Sequence, residues 1–420
     1  MRRELLLLTI LAGAAVAAPT LAQQTPPSTP DAQLARVAKE DLLSDPKCGV
    51  PRNAGDDYRP TPLKPDQTRA PRIVGKQGFR VDVVAKGLNH PWSLAFLPDG
   101  NMLVTIRNEG LRLVTRDGEV SDPITGTPPI KTAIPLFGIH DVALDKNFST
   151  NRTFYVAYNT TPEGGTATVG YLASAKLSAD EKSVSDWKIL KEGAMTPRRV
   201  IQAKDGSLFA LTADIVTPYV LSQNPASPQG KVLHINADGS IPKDNPFVKV
   251  KGADPSVYAV GFRDPQGISF RPGTNELWLG ENEPRGGDEL NRVKRGKNYG
   301  FPKISYGRDN NGKPLGDNKT AEPGLEQPVY FWNPSIAPSG LLFYTGDKLP
   351  GWKNSVFIGG LSGMQVVRLE LNKAGRVTGE EKLFRDQCRR MRDIRQGPDG
   401  LIYIVTDEAD GELLRISPAK

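Results

Sequence analysis

The chain is predicted to fold as an all-β, six-bladed propeller of four-stranded antiparallel blades, and three observations predict it. A strand–turn–strand motif recurs along the chain six times. Each copy is too small to bury its own apolar face, so the copies must stack. A strand-like segment stands at each end of the array, ready to close a ring.

The clearest copies are Leu94-Ala-Phe-Leu-Pro-Asp-Gly-Asn-Met-Leu-Val-Thr105, Val200 to Thr212, Ile268 to Gly280 and Ile394 to Thr406. Two degenerate copies run from Val142 to Tyr158 and from Leu341 to Gly359. The flanking residues are β-branched or aromatic, and Asp-Gly supplies the positive φ of a two-residue hairpin turn. Phe79 to Val84 and Glu412 to Ile416 are the end strands, expected to pair within one blade.

The segment before the array is a different kind of sequence. Arg2 and Arg3, an apolar run from Leu5 to Val16 and the small-residue site at Thr20-Leu21-Ala22 predict a signal peptide over residues 1–22. Export to the periplasm or beyond follows. Residues 23–77 are Pro-rich, with a short helix expected from Ala32 to Leu43, and are read as an extended arm lying on the 78–420 domain. No later stretch is long and apolar enough for a transmembrane segment.

The net charge of +7 is scattered among 47 acidic residues, which argues against a nucleic-acid partner. The dense exception is Arg385 to Arg395, where an anionic ligand is the sharper reading and a basic surface the plainer one. Cys48 and Cys388 are the two cysteines. An even count in an exported chain suggests one disulfide, tying arm to last blade, with two free thiols as the alternative.

Chemistry concentrates between Val257 and Pro302. Arg263 offers a fixed cation with a fork of donors. Arg390 and Arg392, two apart, share one face of a strand and suit a polycarboxylate, or else form a surface charge row. Asp288 and Glu289 suit a hard cation such as Ca²⁺, or else stabilise a turn.

The motifs Gly-Phe-Arg263-Asp-Pro-Gln-Gly, Glu281-Asn-Glu-Pro-Arg-Gly-Gly-Asp-Glu-Leu-Asn291 and Gly296-Lys-Asn-Tyr-Gly-Phe-Pro302 resemble the soluble PQQ-dependent aldose and glucose dehydrogenases, the glucose/sorbosone dehydrogenase family. Asn89 to Gly100, Gly230 to Phe247, Trp332 to Gly340 and Arg390 to Ile394 extend the likeness over about residues 78–418. The resemblance implies a small-molecule sugar or alcohol as substrate, PQQ and Ca²⁺ as cofactors, and an electron acceptor. It implies that Arg390 and Arg392 face the cofactor carboxylates, with Asp264, Gln266 and Asn282 also at the cofactor. Arg263 stands beside the reacting hydroxyl. One Ca²⁺ is implied at the backbone of Glu283 and Pro284, where the family has Gly-Pro, and a second at Asp288, Glu289 and Tyr299.

Several positions depart from the family pattern. Asp145 stands where the family's Leu-Leu-Asp-Val-Ala-Leu-His motif is read to place the general base, so Asp145 is the expected base, or a plain turn residue. His140 is expected to be structural. Asp264 replaces Asn, Asn282 replaces Gln or His, and Ser362 replaces Lys. The expected function is a PQQ-dependent sugar dehydrogenase with an altered site and weakened activity. The alternative is a non-catalytic exported propeller that binds a carbohydrate or envelope ligand.

Overall fold

The structure is a computed structural model that describes residues 48, 58 and 60–419. The expected signal peptide, the helix from Ala32 to Leu43 and much of the arm lie outside the described residues. Among those described, no helix is long and apolar enough to cross a membrane.

Strand β1 (Phe79–Leu88) precedes the first complete hairpin. Blade 1 is β2 (Pro91–Phe96), β3 (Met102–Ile106) and β4 (Gly110–Val114). Blade 2 is β5 (Ile139–Leu144), β6 (Thr153–Thr160), β7 (Val169–Leu177) and β8 (Val184–Gly193). Blade 3 is β9 (Thr196–Gln202), β10 (Leu208–Ala213), β11 (Lys231–Ile235) and β12 (Val257–Val260). Blade 4 is β13 (Asp264–Phe270), β14 (Leu277–Asn282), β15 (Asp288–Val293) and β16 (Tyr330–Trp332). Blade 5 is β17 (Pro338–Phe343), β18 (Val356–Gly360), β19 (Gln365–Leu371) and β20 (Val377–Leu383). Blade 6 takes β21 (Met391–Gln396), β22 (Ile402–Thr406) and β23 (Gly411–Pro418), and β1 completes it by antiparallel pairing with β23. The ring therefore closes through both ends of the domain, as the end strands predicted. In blade 1, Val120 makes one antiparallel bridge to Val114 in place of a fourth strand. The Leu113 N–H is taken there by the Ser121 hydroxyl rather than by a backbone carbonyl, although Ser121 and Ile124 still donate to Leu113 O and Leu111 O.

Each repeat is the inner hairpin of a blade. The Asp-Gly turns hold three residues rather than two: Leu97 N–H donates to Asn101 O, and Ala203 and Gly397 repeat the arrangement with Ser207 and Leu401. Gly100 supplies the left-handed residue at φ 91°. The Asp99 carboxylate accepts from the backbone N–H of Asn101, which explains why aspartate precedes the glycine.

Apolar residues fill the six clefts between neighbouring blades. Val142 and Phe154 meet Leu103 and Leu111 between blades 1 and 2, for example, and Val356 and Val367 meet Trp278 and Leu290 between blades 4 and 5. Near the axis the inner strands crowd. A Cβ on Gly267 would lie 2.3 Å from Ser339 O, and one on Gly340 would lie 2.5 Å from Ile394 N.

The described part of the arm lies against blades 4 and 5. Ile73 N–H donates to Glu380 O and Glu380 N–H to Pro71 O, while Gln67 is buried and its Nε2 donates to Pro328 O. Cys48 and Cys388 form a disulfide.

Candidate functional site: an arginine group on the propeller axis

All six inner strands break register near their first residues. The unpaired residues are Trp92, His140, Arg198, Gln266, Ser339-Gly340 and Arg392, one position from each blade. A bulge re-aims a side chain that regular alternation would send elsewhere. Here the bulged residues meet each other around the axis. The Trp92 and His140 rings are 5.0 Å apart, and Arg198 Nη1 donates to His140 Nε2 at 3.3 Å. Arg198 Nε donates to Asp264 at 2.8 Å, Gln266 Nε2 donates to Asp264 at 2.8 Å, and Arg392 Nη1 donates to Gln266 Oε1 at 2.7 Å. Arg392 then lies 5.1 Å over the Trp92 ring, closing the circuit.

One residue further along, a second tier forms the floor. Arg199 is held by Asp141 at 3.2 Å and Asp393 at 3.0 Å, and its guanidinium lies 4.2 Å over the Trp92 ring. Arg395 joins the same two carboxylates. Apart from Arg395, which is partly exposed, both tiers are buried, so the floor is polar yet internally paired.

The rim comes from the ends of the second strands, because an antiparallel hairpin returns to where it began. Asp407, just after β22, pairs with Arg392 at 2.5 Å, Arg390 at 3.3 Å and Arg107 at 3.6 Å, and His90 Nδ1 lies 3.0 Å away. Burial alone would raise the Asp407 pKa, but the three arginine charges and His90 hold it far below the usual carboxylate range. Because Asp407 is therefore an acceptor only, the proton of His90 sits on Nδ1. Burial, reinforced by Arg390 and Arg198 and opposed by Asp407, lowers Arg392 to about 10, which leaves it charged at neutral pH.

Arg263 Nη1 donates to Asn282 O at 3.1 Å, and its backbone N–H donates to the Glu281 carboxylate. Asp264 is also buried. Burial would raise its pKa, but the charges of Arg198 and Arg263 and the Gln266 hydrogen bond hold it below the ordinary value. Five guanidiniums (Arg107, Arg198, Arg263, Arg390 and Arg392) thus meet the ionised carboxylates of Asp264 and Asp407, while Glu408 accepts from Arg390 N and Glu281, beside Arg263, is pushed by burial toward its neutral form. Three of them, Arg107, Arg263 and Arg392, carry a buried Nε with no partner among the described residues. A net positive, donor-rich group of this kind fits an anion with several acceptor oxygens.

The structure therefore brings together Arg263, Asp264, Gln266, Asn282, Arg390 and Arg392 from the sequence expectations. It adds Arg107, Arg198, Asp407, His90 and Trp92, which the sequence reading did not single out. Their signal was positional: each lies where an inner strand starts or its partner ends.

Asp145 is not with them. It follows the last residue of β5, while His140 lies near the first, about 16 Å away for five extended residues. Its carboxylate accepts from Asn147 N, Asn151 Nδ2, Gln202 Nε2 and Tyr155 Oη. Burial raises its pKa less than these four donors lower it, so it stays ionised. The structure thus holds Asp145 in the turn after β5, at the opposite end of that strand from the axial group. His140 is fully buried, with Nδ1 2.6 Å from Pro197 O. Burial and the charge of Arg198 pull it down to about 3, so it is a neutral structural ring.

The expected second Ca²⁺ site does not assemble either. Asp288 and Glu289 are adjacent on β15 and face opposite sides of the sheet. The Asp288 carboxylate accepts from Glu283 N, Ile336 N, Ala337 N and Ser335 Oγ. Tyr299 Oη donates to Arg292 O and accepts from Lys294 N. Among the described residues, no three Asp, Glu, His or Cys side chains converge as a metal-ligand group. Glu281 and Glu289 stand opposite each other on β14 and β15, and Glu283, just after β14, is close enough to feel the charge of both. Burial pushes Glu289 up to about 8, and burial with mutual repulsion pushes Glu281 and Glu283 well above the usual range. The Glu283 side chain accepts from Ser305 Oγ at 3.2 Å, and Pro284 follows it in the loop to β15.

Comparison with known proteins places this geometry. The aldose sugar dehydrogenase YliI of Escherichia coli K12 is 38% identical over 350 residues, covering 80% of this chain and 92% of that protein. Quinoprotein glucose dehydrogenase B of Acinetobacter calcoaceticus is 24% identical over 449 residues, covering 84% and 90%. The apo crystal structure of the soluble E. coli aldose sugar dehydrogenase superposes with a TM-score of 0.77 at 35% identity, over 81% of this chain and all of that one. The PQQ-bound aldose sugar dehydrogenase of Streptomyces coelicolor shares the fold, with a TM-score of 0.66 at 23% identity over 82% and 99%. The glucose/sorbosone dehydrogenase profile matches residues 88–415, and with it the chain belongs to that family.

Proposed function

We propose that the protein is a PQQ-dependent oxidoreductase that oxidises a sugar or related alcohol at the axial arginine group. The observation that carries this reading is the excess of guanidinium over ionised carboxylate on the axis, with buried N–H groups on Arg107, Arg263 and Arg392 that have no partner among the described residues. A planar tricarboxylate such as PQQ matches both the charge and the donors. The names of the relatives support the same cofactor.

When bound, PQQ supplies the two-electron acceptor that takes hydride from the substrate carbon. Arg107, Arg390 and Arg392 bind and orient its carboxylates, and Arg263 stabilises negative charge on the reacting oxygen. Trp92 and the paired Arg199 exclude water from below. Asp264, held ionised by two arginines, accepts a hydrogen bond from the substrate hydroxyl but is a poor base. His90 takes the hydroxyl proton: Asp407 fixes its Nδ1–H, leaving the Nε2 lone pair free on a ring that is 30% exposed at the rim. No step is routed through Ca²⁺, because the expected ligand set does not fit. The backbone of Glu283 and Pro284 is the remaining place for such an ion. Export to the periplasm or beyond belongs to the same proposal, consistent with the disulfide.

Titration of the purified protein with PQQ, with and without Ca²⁺, read by absorbance and by aldose-dependent dye reduction, tests the reading. A spectral change is expected. Arg392→Ala should weaken PQQ binding at least tenfold, whereas His90→Ala should spare binding and lower the rate by about 10²–10⁴-fold. Asp145→Asn should alter neither. No spectral change at saturating cofactor would hand the site to the non-catalytic reading, a propeller that binds a carbohydrate or envelope ligand.

A further inference from the structure

The loop between β10 and β11 stands beside Arg263 and is tied to the backbone on both sides of that residue. Asp214 N–H donates to Arg263 O at 2.6 Å, and Gly261 N–H donates to Ser222 O at 3.0 Å. Tyr219 lies inside this loop and is only 3% exposed. Its backbone is left-handed, at φ 60°, a conformation that a bulky residue keeps only where its surroundings hold it. They do so here. Tyr219 N–H donates to Val216 O, and Ser222 Oγ donates to Tyr219 O at 3.0 Å. The ring meets that of Phe301 edge-on at 5.2 Å. Phe301 N–H in turn donates to Gly261 O, two residues before Arg263.

The hydroxyl of this fixed ring joins two further segments. Tyr219 Oη donates to Asp309 Oδ1 at 3.2 Å, and Asp309 belongs to the long excursion between β15 and β16. With its one proton committed there, the phenol oxygen has only lone pairs left to offer. The Arg263 guanidinium is the donor beside it. Burial raises the Tyr219 pKa, while the charge of Arg263 and a hydrogen bond from it work against that rise and the charge of Asp309 adds to it.

Arg263 has need of such a hold. Asn282 O fixes its Nη1 at 3.1 Å, but its buried Nε has no partner among the described residues. A long side chain fixed at one end keeps much of its rotamer freedom. A carboxylate in direct contact would fix the other end, yet it would also neutralise the charge that a reacting oxygen requires. A phenol fixes it and leaves the charge in place, with Asp309 orienting the phenol from one bond further out. We propose that Tyr219 is the positioning residue of Arg263: its hydroxyl, oriented by Asp309, accepts from the guanidinium and aims it at the substrate oxygen. The role in catalysis rests on the oxidation proposed above.

Two readouts test it, and the first needs no PQQ. In ¹⁵N-arginine-labelled protein, the Nε–H signal absent from Arg263→Lys is that of Arg263. Tyr219→Phe, which removes only the hydroxyl, should shift this signal and speed its exchange with water roughly tenfold. The second readout is turnover with PQQ. Tyr219→Phe should lower kcat about tenfold while PQQ affinity stays as in the parent. Asp309→Ala should lower kcat in the same way, and Asp309→Asn, which still accepts from the phenol, should restore it. An unmoved Arg263 signal overturns the proposal, as does an unchanged kcat in Tyr219→Phe when the parent is active. A parent with no PQQ-induced spectral change would instead sink the oxidation, and the Arg263 signal would then decide the Tyr219 contact by itself. Should Tyr219→Phe fail to fold, Asp309→Ala carries both readouts.

Discussion

Arg198 and Asp264 form a 2.8 Å ion pair between the first residues of two neighbouring inner strands, with side chains only 3% and 9% exposed. The pair sets the chemistry of the axis. It keeps Asp264 ionised and therefore weakly basic, and it anchors His140 through the second arm of the Arg198 guanidinium.

Breaking this pair from one side should be expensive. Arg198→Leu leaves a buried carboxylate and Asp264→Asn leaves a buried guanidinium, and each is expected to cost about 3–5 kcal/mol. The double variant should recover much of that loss, because no unpaired charge remains. Urea unfolding of the three variants measures it, and additive losses would show that the two residues act independently.

His140 gives the protein an acid-sensitive core. Its folded pKa, about 3, lies below its unfolded value of about 6.5, so between these values the unfolded chain binds the extra proton. Stability from this residue is intact above pH 6.5 and lost progressively as pH falls. The loss should reach about 2–3 kcal/mol at pH 4.5. His140→Gln, which preserves a donor and an acceptor, should flatten the difference in unfolding free energy between pH 7 and pH 4.5. An unchanged pH slope would rule the residue out as its source.

Asp288 is expected to be a backbone anchor. Its carboxylate ties Glu283 at the end of one loop to Ile336 and Ala337 in the crossing to blade 5. Asp288→Ala should cost about 3 kcal/mol through four orphaned donors, equally in Ca²⁺ and in EDTA. If EDTA destabilises the parent and that effect vanishes in Asp288→Ala, the residue is a metal ligand after all.

The disulfide spans 340 residues, but its effect should be local. Because β1 already docks on β23, the additional loop it closes is only the arm. Cys388→Ser should change global unfolding by less than about 1 kcal/mol while making the segment before β1 susceptible to protease. A global loss several times larger would mean that the arm is integral to the ring.

The fold was legible because hairpin turns repeat. Asp99-Gly100, Asp205-Gly206 and Asp399-Gly400 mark three blades, and their flanking strands mark the rest. The family motifs located Arg263, Asp264, Gln266, Asn282, Arg390 and Arg392. What escaped was the bulge. Counting alternate residues along β5 or β9 cannot reveal that His140 and Arg198 are displaced toward the axis, because a register break depends on the partner strand. The place of Asp145 was hidden for a related reason: motif likeness does not say which end of β5 it occupies. The pairing of Asp407 with three arginines was equally hidden, since its partners come from two blades.

The seam between β1 and β23 carries a consequence for when the protein becomes competent. Arg390, Arg392 and Asp407 all belong to the last blade, whose outer strand comes from the opposite end of the domain. A chain still missing its final strands is an open crescent, with only part of the axial circuit in place. On the proposed reading the anion site is therefore also a test of completeness: truncated or half-closed molecules would fail it, and cofactor loading would be a quality check on the finished circle.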